Sequence, residues 1–334
     1  MHFYRTIYTI NGRDEFCMVS AYCLDYHNWV CIPRHIREDF AEMKDMGFDA
    51  VDLSFSESEE RYALRTFEIL IELAHEAGLK VNVIPSRIAG RFAGAPLMAS
   101  NWLVKNTQYQ VPNNYYLPVA CVECDEVRDW VKQFMHFILT NFDIDGIIWD
   151  EPKAVDMISL HPATIAKYGE NPTAENMMDG YIDFFNDIAG YCRELRPDVE
   201  QTLFCMPADP EYFTSRISKS PYIDYFGYDG NLSNQRRFKE EIHYRDKRIY
   251  HYWDRTLKET ADAGVKTFAL VETMHMPREE HENFEKNFDD YLATHRPDHL
   301  SVYYYGHNAD DPEALNEIVK RVMKKHLKKE NNND

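Results

Sequence analysis

The chain has 334 residues, 44% of them hydrophobic, enough apolar material for one large core or two ordinary ones. Acidic residues outnumber basic ones 56 to 37, a formal charge of -19, and the Lys and Arg residues form no stripe interleaved with aromatics, which argues against a nucleic-acid partner. The opening MHFYRTIYTINGRDEF lacks the apolar core and cleavage site of a signal peptide, and no apolar run approaches the ~18 residues of a membrane span. The expectation is a cytoplasmic protein that makes no membrane contact.

Short β-rich runs alternate with helical patterns along the whole chain. FCMVSAYCLD (16–25) reads as the first strand, and PRHIREDFAEMKDMG (33–47) as a helix opened by proline and closed by glycine. FDAVDLSFS (48–56) is a second strand, followed by one amphipathic helix over 58–78 whose apolar stripe runs through Leu64, Phe67, Leu70, Ile71 and Ala74. LKVNVIPS (79–86) is the third strand. A long irregular stretch over about 86–118 then precedes the helix DEVRDWVKQFMHFILTNF.

DIDGIIWDE is the fourth strand, and a helix from about Ala174 to Leu195 follows it after a loop. DVEQTLFCMP, YIDYFGYDG, VKTFALVET and HLSVYYYGHN supply strands five to eight, separated by helical segments near 210–218, 250–263 and 279–295, with a last one at 311–328. Eight strand-then-helix units predict an α/β chain closed as a (β/α)8 TIM barrel. No GxGxxG follows the first strand, which argues against a dinucleotide fold. A single catalytic domain over 1–328 and a polar tail at 329–334 complete the expected organisation, as no linker rich in Pro, Gly or Ser interrupts the chain.

Barrel chemistry sits at the C-terminal ends of the strands, where the loops converge. Those ends carry Arg87 after strand three, Asp150 and Glu151 after four, Asp209 after five, Tyr228, Asp229 and Asn231 after six, Glu272 and His275 after seven, and Tyr305 and His307 after eight. Carboxylates at ends four, six and seven fit glycoside hydrolysis, which needs one acid to protonate the leaving oxygen and one carboxylate to attack carbon or to activate water. Strands four and seven lie on roughly opposite sides of the mouth, so Glu151 and Glu272 are the favoured pair, set for retention through double displacement. A high aromatic share, 14% of the chain, is consistent with rings that stack on sugars.

With Glu151 ending strand four and Glu272 ending strand seven, the chain resembles the clan A glycoside hydrolases, the "four-seven" retaining barrels. That resemblance implies Glu151 as acid/base and Glu272 as nucleophile. The segment YYLPVACVECDEVRDWV also resembles the stretch before the fourth strand in several barrel glycosidases. The clan usually places Asn before the acid/base Glu, and here the residue is Asp150. Two other assignments stay open: Asp150 with Glu151, similar to the substrate-assisted hexosaminidases, and Asp150 with Asp229, similar to the α-glycosidase barrels.

Arg87, Trp102, Tyr115, Tyr228, Asn231, His275, Tyr305 and His307 are the expected substrate contacts, with Trp102 and Tyr115 as a stacking wall on the long loop. The substrate is a short glycoside or oligosaccharide, and no cofactor is expected. A metal-dependent sugar isomerase or epimerase using Glu151, Asp229, Glu272 and His275, and a sugar-binding barrel without chemistry, are the readings from other classes. Seven cysteines fit free thiols in a reducing compartment. Cys121 and Cys124 form a CxxC, but zinc needs two more ligands and no second pair or HxxxH supplies them, so no metal is expected.

Overall fold

The structure, a computed structural model, describes residues 18–23, 26, 31–95, 97–112, 117–235, 248–303, 305 and 308–327. Eight parallel strands close into a barrel in sequence order. They are β1 (Met18–Cys23), β2 (Ala50–Phe55), β3 (Lys80–Pro85), β4 (Gly146–Asp150), β5 (Glu200–Cys205), β6 (Tyr225–Asn231), β7 (Lys266–Glu272) and β8 (His299–Tyr303). β8 closes on β1 with Met18 level with His299 and Tyr22 level with Tyr303. The expected TIM barrel is the fold observed.

The helices are α1 (Pro33–Met46), α2 (Glu57–Tyr62), α3 (Leu64–Glu76), α4 (Asn101–Lys105), α5 (Asp125–Asn141), α6 (Pro162–Tyr168), α7 (Ala174–Leu195), α8 (Glu211–Ile217), α9 (Trp253–Ala263), α10 (His281–Thr294) and α11 (Pro312–Leu327). Gly47 ends α1 in the left-handed conformation at φ 103°, which glycine adopts without a Cβ penalty. The helix expected over 58–78 is broken at Ala63, whose φ of -132° is not helical. A capping box of Ser56 and Glu59 fixes the start of α2, while α3 is aligned by its own apolar stripe of Phe67, Leu70, Ile71 and Ala74. α6, in a stretch read as loop, starts on Pro162 after the N-cap His161.

Strand alternation sorts side chains between two cores. Tyr22, Ile84, Ile148, Phe204, Tyr225, Phe268 and Leu270 fill the barrel, whereas Ile147, Trp149, Phe226 and Tyr228 belong to the larger core between strands and helices. Trp149 lies against Phe92 and Phe185 at 5.2 and 5.6 Å and donates its indole N–H to Gln201 Oε1 at 3.0 Å. Between β6 and β7, Gly227 is level with Phe268. A Cβ on Gly227 would come within 1.8 Å of the Phe268 carbonyl oxygen, so only glycine permits this approach.

The lower half of the barrel is polar. Asp52 accepts from Ser20 Oγ at 2.5 Å, Ser301 Oγ at 2.8 Å and Asn82 Nδ2 at 2.7 Å. His299 Nε2 stands 3.0 Å from Ser20 Oγ. Burial pushes the Asp52 carboxyl up to about 6, although its three donors oppose the shift. Burial, with help from Lys266 and Lys80, pushes His299 down to about 3.

Candidate active site

Asp150 shares the inward direction of Ile148 and is the last residue of β4. Its Oδ2 accepts from Tyr22 Oη of β1 at 2.6 Å, and Tyr22 is itself fully buried edge-on to Tyr303. Only 5% exposed, Asp150 has its carboxyl pushed up to about 7, first by burial and then by neighbouring Glu151. The Tyr22 hydrogen bond and the charges of Lys153 and Arg87 work in the other direction.

Glu151 follows with φ at 34°, in the left-handed region that a residue before proline disfavours. Its Oε2 is ion-paired with Lys153 Nζ, and both side chains are about one-eighth exposed, at 13%. Burial opposes the ammonium of Lys153. The charges of Glu151, Asp150 and Asp229 outweigh that penalty and push it up to about 12. Lys153 is held from behind, its N–H donating to Arg91 O at 2.9 Å and its Nζ lying 3.2 Å from Met206 Sδ.

The loop after β5 contributes Asp209, which accepts from Met206 N at 2.8 Å. Burial first, and the charge of Glu151 next, push its carboxyl up to about 7 against Lys153 and Arg255. β6 and β7 complete the rim: Asp229 and Asn231 are buried and stand level with Leu270 and Glu272, and Glu272 is 3% exposed. Leu270 faces the barrel interior, so Glu272, two residues on, shares its direction. Arg87 lines a small cavity together with Lys153 and Phe92, so it belongs to this rim. His275 sits just beyond Glu272 at φ 54°, its N–H donating to Asn308 O at 2.7 Å.

Three expected substrate contacts are corrected. Tyr228 points outward, donating to Glu259 Oε2 of α9 at 2.5 Å beneath the Arg255 guanidinium, because strand alternation that brings Asp229 inward turns its neighbour away. Tyr305 donates to Glu42 of α1 and lies beside Tyr26, again outside the mouth. Trp102 stacks on Tyr109 at 5.4 Å and on Trp130 of α5 at 4.8 Å, so its ring seats the long loop on the outer helices. Tyr115 and His307 lie outside the described residues.

Sequence reasoning missed Tyr22 and Lys153. Tyr22 carries no signal inside an apolar run, whereas Lys153 stands two residues past Glu151 and was legible as a counter-charge. It also missed a group away from the mouth. The sulfurs of Cys121 and Cys124 meet the ring of His161, with all ligand atoms within 4.8 Å of one another. Among the described residues this is the one set of three or more His, Cys, Asp or Glu gathered so closely, so the four ligands of a metal isomerase do not form such a set at the mouth.

No family model and no curated protein sequence matches the chain. Among solved structures it is similar to a β-galactosidase from the Antarctic haloarchaeon Halorubrum lacusprofundi, at a TM-score of 0.68 and 12% identity over 92% of this chain and 58% of that one. The catalytic domain of a β-amylase from Paenibacillus polymyxa superposes at TM-score 0.63 and 9% identity, covering 92% of this chain and 99% of that one. An endo-1,4-β-mannanase from Rhizomucor miehei does so at 0.60 and 12%, covering 95% and 97%. The likeness is one of fold, and the chain spans little more than half of the β-galactosidase.

Proposed function

We propose that the chain is a glycoside hydrolase acting on a short glycoside or oligosaccharide, with the reacting carboxyls supplied by β4 and β7. The observation that carries this reading is the pair of inward, nearly dry acids at the two strand ends, Asp150 at 5% and Glu272 at 3% exposure, with Glu151 beside the first. That the fold neighbours include a β-galactosidase, a β-amylase and an endo-mannanase supports the same class.

In this reading Glu272 attacks the anomeric carbon while an acid on β4 donates its proton to the departing oxygen, forming a glycosyl ester and releasing the alcohol. The same β4 group, now a carboxylate, takes a proton from water, whose oxygen attacks that carbon and expels Glu272. Two inversions give net retention, which needs carboxyls ~5 Å apart. Asp229, Asn231 and Arg87 would hold sugar hydroxyls. Free thiols at the six described cysteines suit a reducing compartment such as the cytoplasm.

Glu151 is the acid/base on the four-seven pattern. A second reading gives that proton to Asp150, and a specific observation favours it. Glu151 is already ion-paired with Lys153, while burial first and neighbouring Glu151 next push the Asp150 carboxyl up to about 7, within reach of proton donation near neutral pH.

A panel of nitrophenyl glycosides tests the class. Wild type should hydrolyse at least one with retention, seen by NMR of the first-formed anomer, and Glu272→Gly should lose turnover and recover it with azide as a glycosyl azide of inverted configuration. Inversion by the wild type, or full activity in Glu272→Gly, rejects the assignment.

A further inference from the structure

Cys121, Cys124 and His161 take no part in the mouth chemistry, and all three are buried, at 1%, 6% and 9% exposure. Both cysteines are free thiols. Cys124 Sγ lies 3.7 Å from His161 Nδ1. Two ligands of a tetrahedral zinc ion, one sulfur and one nitrogen, stand about 3.6 Å apart when their bonds have ordinary lengths. That pair therefore already has ligand spacing, and Cys121 Sγ lies within 4.8 Å of the Cys124 sulfur and of a His161 ring nitrogen.

The imidazole is also oriented for the task. Its Nε2 lies 2.7 Å from Gln108 O, and an N–H donated there leaves the lone pair on Nδ1, the nitrogen nearer Cys124. Fixing the tautomer through a backbone carbonyl is how metal-binding histidines are commonly held. Nδ1 accepts the Ala163 N–H at 3.1 Å, a cap on α6 that an ion would displace. Thr164 Oγ1 stands 3.3 Å from Cys121 Sγ, where a hydroxyl can orient a ligating sulfur.

We propose that Cys121, Cys124 and His161 form a binding site for a zinc-class divalent ion, with water as the fourth ligand. A small cavity lined in part by Cys121, Ser159 and Thr164 offers room and hydroxyls for that water. Each thiol releases its proton to solvent on ligation. The ligands come from the segment before α5 and from the loop after β4, so the ion ties the far end of the loop that begins at Glu151 and Lys153 to the start of α5. Arg91 already holds the start of that loop, donating to Ala154 O at 3.0 Å. The ion's role is structural, set apart from the reacting carboxyls.

The test uses the whole chain, reduced and stripped with chelator, titrated anaerobically with Co2+. One equivalent should give thiolate-to-cobalt charge-transfer absorption with d–d bands of tetrahedral intensity, and Zn2+ should displace it. Cys124→Ser places a cap-forming hydroxyl at the N-cap of α5, and His161→Asn places an amide oxygen able to cap α6. Each variant should keep its circular dichroism and lose about 100-fold or more in Co2+ affinity. A wild-type chain that shows no such absorption while both thiols react freely overturns the site. An unchanged band in His161→Asn does so as well, since it removes the imidazole from the ligand set. Neither measurement depends on hydrolysis.

Discussion

Two polar layers lie inside one barrel, and they are built on opposite terms. In the lower layer a single carboxylate, Asp52, is met by three donors on three other strands, and every strand there keeps its regular geometry. The upper layer gathers Asp150, Glu151, Asp209, Asp229 and Glu272 with Lys153 and Arg87. Its backbone is also strained. All six non-glycine residues with positive φ among those described, Arg87, Ala89, Glu151, Ala154, His275 and Asn308, lie in loops that follow strands at this end. A buried polar group satisfied by its neighbours serves the fold, while crowded like charges on strained backbone are kept for chemistry at a cost in stability.

The sharpest way to break that contrast is kinetic. Removing the general acid should lower kcat/KM for glycosides with poor leaving groups by about 10²–10⁴-fold and spare kcat/KM for those with good ones. Comparing Glu151→Gln with Asp150→Asn on both substrate kinds shows which residue carries the proton, and a flat response in both variants would remove β4 from the mechanism. Next in size is the lower layer. Asp52→Ala strands the donors of Ser20, Asn82 and Ser301 and should cost about 2–4 kcal/mol in urea unfolding, with kcat unchanged for the folded fraction.

Asp150→Asn should act in the other direction on stability, raising it by about 1–2 kcal/mol at pH 7. The sign follows from the folded pKa values of Asp150 and Asp209, about 7, and of Asp52, about 6, all above the unfolded value near 4. Between about pH 4 and 7 the folded state holds more protons, so their joint contribution falls as pH rises through that window and then levels off. Unfolding free energies measured at several pH values should decline across it, less steeply in Asp150→Asn. A destabilised Asp150→Asn would place Asp150 with the lower layer. Smallest is Lys153→Met, which removes a cation beside both β4 acids and should move the alkaline limb of the kcat/KM profile up by about half to one pH unit; an unmoved limb would show that Lys153 does not tune the acid.

The same contrast explains what the sequence disclosed. Strands were legible because each is a short apolar run bounded by turn residues, and the helix read from about Ala174 to Leu195 is α7 as observed. Carboxylates at strand ends were legible because the fold fixes where such ends lie. Side-chain direction is legible too: strand alternation that places Asp229 inward turns Tyr228 outward. Ala63 shows no breaker residue, so the kink between α2 and α3 left no mark. His161 joins Cys124 from 37 positions away, a proximity that only the closed barrel creates.

Gly227 has a consequence for anyone altering the barrel. It has no side chain, yet it acts as a spacer: the bare α-carbon sets how close β6 and β7 lie, and those strands carry Asp229 and Glu272. Alanine there would wedge the strands apart by way of the Phe268 carbonyl, so the gap between the two strands that carry Asp229 and Glu272 is held by a hydrogen atom. Libraries aimed only at the visible acids would leave that ruler untouched, and a single methyl group would recalibrate it.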